Sequence, residues 1–136
     1  MPIAGLHHVL LTVRDLRRSS DFYENILGLR KIRDIPDDGT AGAKTLFALP
    51  DGAFLGLVHH RNGDSGQFDE MRPGLDHLSF TVPAAELGGW QQRLTAAGAP
   101  HSPPAPSAFG EPLIVLRDPD NIQLQIYGRA AGYECR

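Results

Sequence analysis

The segment Gly5-Leu6-His7-His8-Val9-Leu10-Leu11-Thr12-Val13 returns as Gly74-Leu75-Asp76-His77-Leu78-Ser79-Phe80-Thr81-Val82, at an offset of 69 residues, the separation of His8 and His77. The same offset carries Pro50-Asp51-Gly52-Ala53-Phe54-Leu55-Gly56 onto Pro119-Asp120-Asn121-Ile122-Gln123-Leu124-Gln125. Two matches so far apart at one shift mark a duplicated unit. The chain is therefore limited to folds made of two copies of one supersecondary motif, and His8 and His77 stand at equivalent points of those copies.

Each copy reads in the same order. Residues 6–13 are apolar and β-branched and predict a strand that ends at the charged Arg14-Asp15. Asp15 is the expected N-cap of a helix whose stripe is Leu16, Ser20, Tyr23 and Leu27, with Phe22 and Ile26 alongside; Gly28 closes it. Strands are expected over 29–35, 44–49 and 53–59, separated by the turns Pro36-Asp37-Asp38-Gly39 and Pro50-Asp51-Gly52. The second copy predicts a strand over 75–82 and a helix over 84–97, carrying Leu87, Trp90, Leu94 and Ala97 and weakened by Gly88-Gly89. Pro100, Pro103, Pro104 and Pro106 limit the next segment to a short edge strand, and strands over 111–117 and 122–127 complete the unit. The expected organisation is one domain over 1–136: module one at 5–60, a polar linker at 61–73, module two at 74–128 and a tail at 129–136.

Strand parity sorts the side chains. If Val9, Leu11 and Val13 face the helix, then His8, Leu10 and Thr12 face the other way. In module two the same argument leaves His77, Ser79 and Thr81 on the second face of the first strand, and Gln123, Gln125 and Tyr127 on that of the last. A largely polar face is a natural wall for a ligand cleft.

The net charge is −3, with no cluster of Lys or Arg. The electrostatic footprint of a nucleic-acid binder or of a polybasic membrane anchor is therefore missing. No apolar run has the length needed to cross a bilayer. The single Cys135 has no intramolecular disulfide partner, and the start of the chain lacks a basic segment followed by an apolar one, so a reducing cytoplasm is expected. There is no Gly-rich phosphate loop, Ser-centred elbow or His-Glu-x-x-His helix.

Three stretches then become informative together: Leu6-His7-His8-Val9 followed by Asp21-Phe22-Tyr23-Glu24-Asn25-Ile26-Leu27-Gly28-Leu29; Leu75-Asp76-His77-Leu78; and Arg117-Asp118-Pro119-Asp120-Asn121-Ile122-Gln123-Leu124. With them the chain resembles the vicinal oxygen chelate superfamily of glyoxalases, extradiol dioxygenases, fosfomycin-modifying enzymes and bleomycin-binding resistance proteins. The resemblance implies an α+β fold, two paired βαβββ modules whose eight strands form an open, barrel-like sheet around a cleft. It also implies a homodimer, with a small-molecule substrate or drug as the partner.

Metal-using members draw their ligands from the first and last strands of each module. By position these sites are His8, Gly56, His77 and Gln125, so the resemblance implies a divalent metal (Zn, Ni, Mn or Fe) held by His8, His77 and Gln125. Gln125 replaces the family's usual Glu, and a neutral amide is a weaker donor than a carboxylate. Proton abstraction beside a carbonyl needs a base of suitable reach, so typical glyoxalase I activity is not expected. Gly56, His60, Ser79, Gln123 and Tyr127 are the expected substrate-binding residues. Two readings remain open: a metal-dependent lyase, transferase or dioxygenase acting on an oxygen-bearing substrate, and a metal-free drug- or metabolite-binding resistance protein.

Overall fold

A computed structural model describes residues 1–132 of the chain; the expected tail falls partly, and Cys135 wholly, outside them. The chain divides into two compact units, Met1–Gly66 and a second beginning at Gln67. The first contains β1 (His8–Thr12), α1 (Leu16–Asp21) continued by a π-helical turn (Phe22–Ile26), β2 (Arg30–Ile35), β3 (Ala43–Ala48) and β4 (Phe54–His59). The second contains β5 (Leu78–Pro83), a 3₁₀ turn (Ala84–Glu86) leading into α2 (Leu87–Ala96), β6 (Ala105–Pro106), β7 (Pro112–Arg117) and β8 (Gln123–Arg129). This is the expected α+β architecture of two βαβββ modules, each with its own four-stranded mixed sheet, ordered β1-β4-β3-β2 and β5-β8-β7-β6.

The duplication is visible in the hydrogen-bond register. In the parallel pairs, Val9 stands opposite Leu55 and Leu78 opposite Leu124. In the antiparallel pairs, Leu46 meets Gly56 and Val115 meets Gln125. All are related by the offset found in the sequence. Alternation then works as read: Leu11, Leu55, Leu57 and Phe47 are buried with Phe22 and Tyr23 of the helical segment, and Ile114, Leu116, Leu124 and Ile126 are buried with Leu87 and Leu94.

Local chemistry explains the helix ends. Asp15 accepts the backbone N–H of Arg18 at 3.0 Å, the cap read from the sequence. At the far end the backbone opens into a wider turn, with Leu27 N–H donating to Phe22 O, and Gly28 takes φ 72°. Two expectations for the second helix fail: Ala97 is exposed, and Trp90 is half-buried, with Arg93 stacked 5.0 Å from its ring centroid. Gly88 and Gly89 face open space, and the helix buries Leu87 and Leu94. The first strand of module two also starts later than expected, at Leu78, leaving His77 just ahead of it.

The polar stretch between modules has no regular structure, but its second half is pinned. Phe68 N–H donates to Asp120 O at 2.9 Å, and Asn121 Nδ2 donates to Phe68 O at 3.1 Å. Arg117 grips Glu70 with two bonds, Nη2–Oε1 at 2.6 Å and Nη1–Oε2 at 3.0 Å. That guanidinium lowers the Glu70 carboxyl to about 2. A carboxyl whose folded value is depressed contributes above its unfolded value and is lost as pH falls through the folded one. Protection of the Phe68 amide against hydrogen exchange is therefore expected to hold near pH 5 and to fall between about 4.5 and about 2, while Glu70→Gln is lower near pH 5 and lacks that step.

Candidate metal and substrate site

His8 opens β1 and is exposed. Its Nδ1 lies 2.7 Å from Nδ1 of His7. Two neutral imidazoles at this distance share one hydrogen: one ring donates from Nδ1 and the other accepts. When His8 is the donor, its lone pair is on Nε2. In the second unit, Nδ1 of His77 lies 2.5 Å from Oδ1 of Asp76. An ionised carboxylate only accepts, so whenever the His77 ring is neutral its hydrogen lies on Nδ1 and Nε2 is a lone pair. His7 and Asp76 are equivalent under the repeat, and each unit uses the residue before its histidine to orient the ring. Strand parity alone does not bring either residue to its histidine; the signal in the sequence is a hydrogen-bonding side chain at the same place in each copy.

Gln125 stands opposite Ser79 across the parallel β5–β8 pair, and Ser79 Oγ donates to Gln125 Oε1 at 3.1 Å. That bond turns the amide oxygen toward Ser79 and leaves it a second lone pair. Gln123 and Tyr127 lie further along β8. The Gln123 oxygen accepts Arg117 Nη2 at 3.2 Å, joining the Glu70 network. Tyr127 is buried, its ring edge-on to Phe109 at 6.1 Å.

In the first unit His7, His8, Leu10, Leu46, Phe54 and Gly56 share a cavity of about 430 Å³. Gly56 makes room there for two leucines: an added Cβ would stand 2.2 Å from Leu10 Cδ2 and 3.1 Å from Leu46 Cδ2, so Leu10 would have to turn aside. Where Ser79 bonds Gln125 in unit two, Leu10 covers Gly56 in unit one, so equivalent positions have become polar in one copy and apolar in the other. His60 is not part of this group. β4 ends at His59, strand parity stops with it, and His60 lines a separate loop cavity with Asp37 and Arg61.

Among the described residues, no group of three or more His, Cys, Asp or Glu side chains could hold a metal ion. The donor chemistry nonetheless fits one. Asp76 would serve His77 as the outer-shell carboxylate that metal-bound imidazoles ordinarily have, and Gln125 would offer an amide oxygen as donor.

Comparison with known proteins gives this arrangement its context. The family model for the glyoxalase/bleomycin resistance protein/dioxygenase superfamily matches residues 5–126. The chain belongs to this superfamily. Its relatives include MhqO of Bacillus subtilis, named as a ring-cleaving dioxygenase, at 25% identity over 94% of this chain. The match covers 41% of MhqO, so the chain spans about two fifths of that relative's length. The fosfomycin resistance protein FosX of Listeria monocytogenes is 27% identical over 80% of this chain and 77% of its own. Among solved structures, a superfamily domain from Frankia sp. EAN1pec superposes with a TM-score of 0.82 at 38% identity, covering 94% of this chain and 100% of that one. A Glu-to-Gln variant of Listeria FosX, complexed with Mn(II) and 1S,2S-dihydroxypropylphosphonic acid, gives 0.73 at 26% identity, covering 93% of each. No described helix is long and apolar enough to cross a membrane.

The orienting bond can be read by itself. At mildly alkaline pH, nitrogen-15 spectra of the imidazoles are expected to show His77 mainly as the Nδ1–H tautomer. In Asp76→Ala the ring should move toward the Nε2–H form that free imidazole side chains favour; an unchanged pattern would mean that Asp76 does not set the tautomer.

Proposed function

We propose that this superfamily member is a metal-dependent enzyme acting on a small, oxygen-bearing substrate, with His8, His77 and Gln125 as the candidate ligands of a divalent ion. The observation that carries the reading is the Asp76–His77 bond, which in the neutral ring turns the Nε2 lone pair outward, with a matching partner, His7, for His8. The superfamily relationship and a FosX structure containing Mn(II) agree with it. A divalent metal bound there supplies Lewis-acid polarisation of substrate oxygens.

The chain's own residues do the rest. Asp76 and His7 hold the two rings. Ser79 holds the Gln125 amide, so that its oxygen rather than its NH₂ group is presented. The His7–His8 pair also handles a proton: with His8 donating from Nδ1, His7 accepts at Nδ1 and keeps its own hydrogen on Nε2, making it a donor at the cavity wall. Leu10, Leu46 and Phe54 keep that wall apolar and exclude water from the substrate body. The neutral donor set separates this site from chemistry that relies on a carboxylate base, and typical glyoxalase I activity is outside the proposal. The reading includes a cytoplasmic homodimer, expected as a single dimeric species in sedimentation.

One observation favours a second reading, a metal-free binding protein. Leu10 fills the space beside Gly56, so the first unit's cavity is walled by hydrocarbon where a metal-using relative would offer a ligand.

Calorimetric titration of chelator-treated protein with Mn²⁺, Zn²⁺, Ni²⁺ and Fe²⁺ distinguishes the two. Saturable uptake is expected, abolished in the His8→Ala, His77→Ala double variant and weakened by roughly 10- to 100-fold in Asp76→Asn. Gln125→Glu is expected to tighten it, because a carboxylate adds charge to the donor set. Absence of uptake for all four ions, or a Gln125→Glu variant no tighter than the parent, would sink the metal reading.

A further inference from the structure

The wall of the first unit's cavity is completed by β2 and β3, through Ile32, Arg33, Ile35 and Lys44. Arg33 is there because of a break in the β2–β3 ladder. Lys31 pairs with Phe47, but the next pair is Arg33 with Leu46, so Ile32 is an extra residue, a β-bulge. Phe47 is buried on the helix side and Leu46 lines the cavity, so the residue paired with Leu46 is the one delivered to the cavity. With regular pairing that residue would be Ile32; Arg33 would face Thr45 on the buried side, and Asp34 would stand beside Lys44.

The bulge thus sorts the charges of β2 between the two faces. Asp34 is kept on the helix side, where Thr45 Oγ1 donates to it at 2.7 Å and Lys31 pairs with it at 3.2 Å. Those contacts hold its carboxyl below the usual range, with the Thr45 bond the largest cause. Arg33 is left with no ion pair or side-chain hydrogen bond among the described residues. Among the described residues Lys44 Nζ bonds only the backbone oxygen of Gly42, at 3.3 Å, and although its charge is felt by Asp38, no Asp or Glu belongs to the cavity wall. Two cations beside an apolar floor, with no acid among the lining groups, form a one-signed field over a hydrophobic surface.

We infer that this cavity binds a small organic anion, a carboxylate on a flat apolar body, with Arg33 and Lys44 taking the charged group and Leu10, Leu46 and Phe54 the body. The inference deepens the proposed function by naming the substrate class of the same site. A guanidinium meets a carboxylate with two parallel N–H bonds, while an ammonium meets it as a point charge, so Arg33 fixes the anion's orientation and Lys44 adds attraction. The cavity lies within the size range of small-ligand pockets, and a bicyclic ring fits that range better than a single small acid such as acetate.

The test uses full-length protein treated with chelator, so that anion binding is read without metal. 2-Naphthoate is titrated by calorimetry against 2-naphthamide, its neutral counterpart, and acetate, which lacks the apolar body. Saturable binding of 2-naphthoate is expected, with the amide and acetate each weaker. Arg33→Met and Lys44→Met should each weaken 2-naphthoate, Arg33→Met by roughly 10- to 100-fold, and leave the amide unchanged. Lys31→Met, which removes a cation from the opposite face of β2, should leave both unchanged. Equal binding of acid and amide, either cavity variant binding 2-naphthoate as tightly as the parent, an equal loss in Lys31→Met, or no saturation at about 10 mM overturns the inference. Protein that takes up no metal yet keeps Arg33-dependent naphthoate binding loses the proposed function and keeps this one; metal uptake without naphthoate binding does the reverse.

Discussion

Parallel pairing between the first and last strands of each module is the constraint on which the other features depend. β1 lies beside β4 and β5 beside β8, in the same register. A parallel pair needs a crossover, which the helix and two intervening strands provide. Because strand side chains alternate, the pairing places Leu10 against Gly56 and Ser79 against Gln125, with His8 two positions before Leu10 on the same side. A one-residue slip would send Leu57 and Ile126, both buried in the core, to the opposite face. Core packing therefore fixes the positions of the candidate site residues as firmly as it fixes the fold.

On that shared frame the two copies have diverged in a patterned way. Each retains a histidine at the start of its first strand and a hydrogen-bonding partner immediately before it, His7 in one case and Asp76 in the other. The partners differ in chemistry. A carboxylate fixes its neighbour's tautomer, whereas a second imidazole leaves the shared hydrogen free to sit on either ring. The positions between the strands have separated further, into a serine–glutamine bond and a leucine–glycine contact. One copy is organised around polar orientation, the other around apolar enclosure.

Much of this was legible in the sequence. The repeat, the Asp15 cap, the Gly28 terminus, the short proline-limited β6 and the alternation of β1, β4 and β8 all follow from local rules. What escaped notice required knowledge of which residues pair. The bulge at Ile32 is silent in composition, since a run such as Arg30-Lys31-Ile32-Arg33-Asp34-Ile35 reads equally well as a regular strand. The bond between Asp76 and His77 joins adjacent residues, a spacing that strand parity assigns to opposite faces; the strand begins only at Leu78, and parity does not govern residues ahead of it. His60 likewise lies just past the end of β4, where parity does not govern. Glu70 and Arg117 are 47 residues apart, and nothing in either neighbourhood announces their pairing.

The extra residue in β2 has a consequence for how reliably the first unit assembles. Edge strands are prone to pairing out of frame, because their outer rim is unconstrained. Here the neighbouring frame would set Arg33 against Thr45 in place of Asp34, taking from Thr45 its acceptor and from Asp34 both its partners. A hydrogen bond and an ion pair would be lost together. The same irregularity that gives the cavity its sign thus acts as a proofreading device, penalising the misaligned sheet before it can persist.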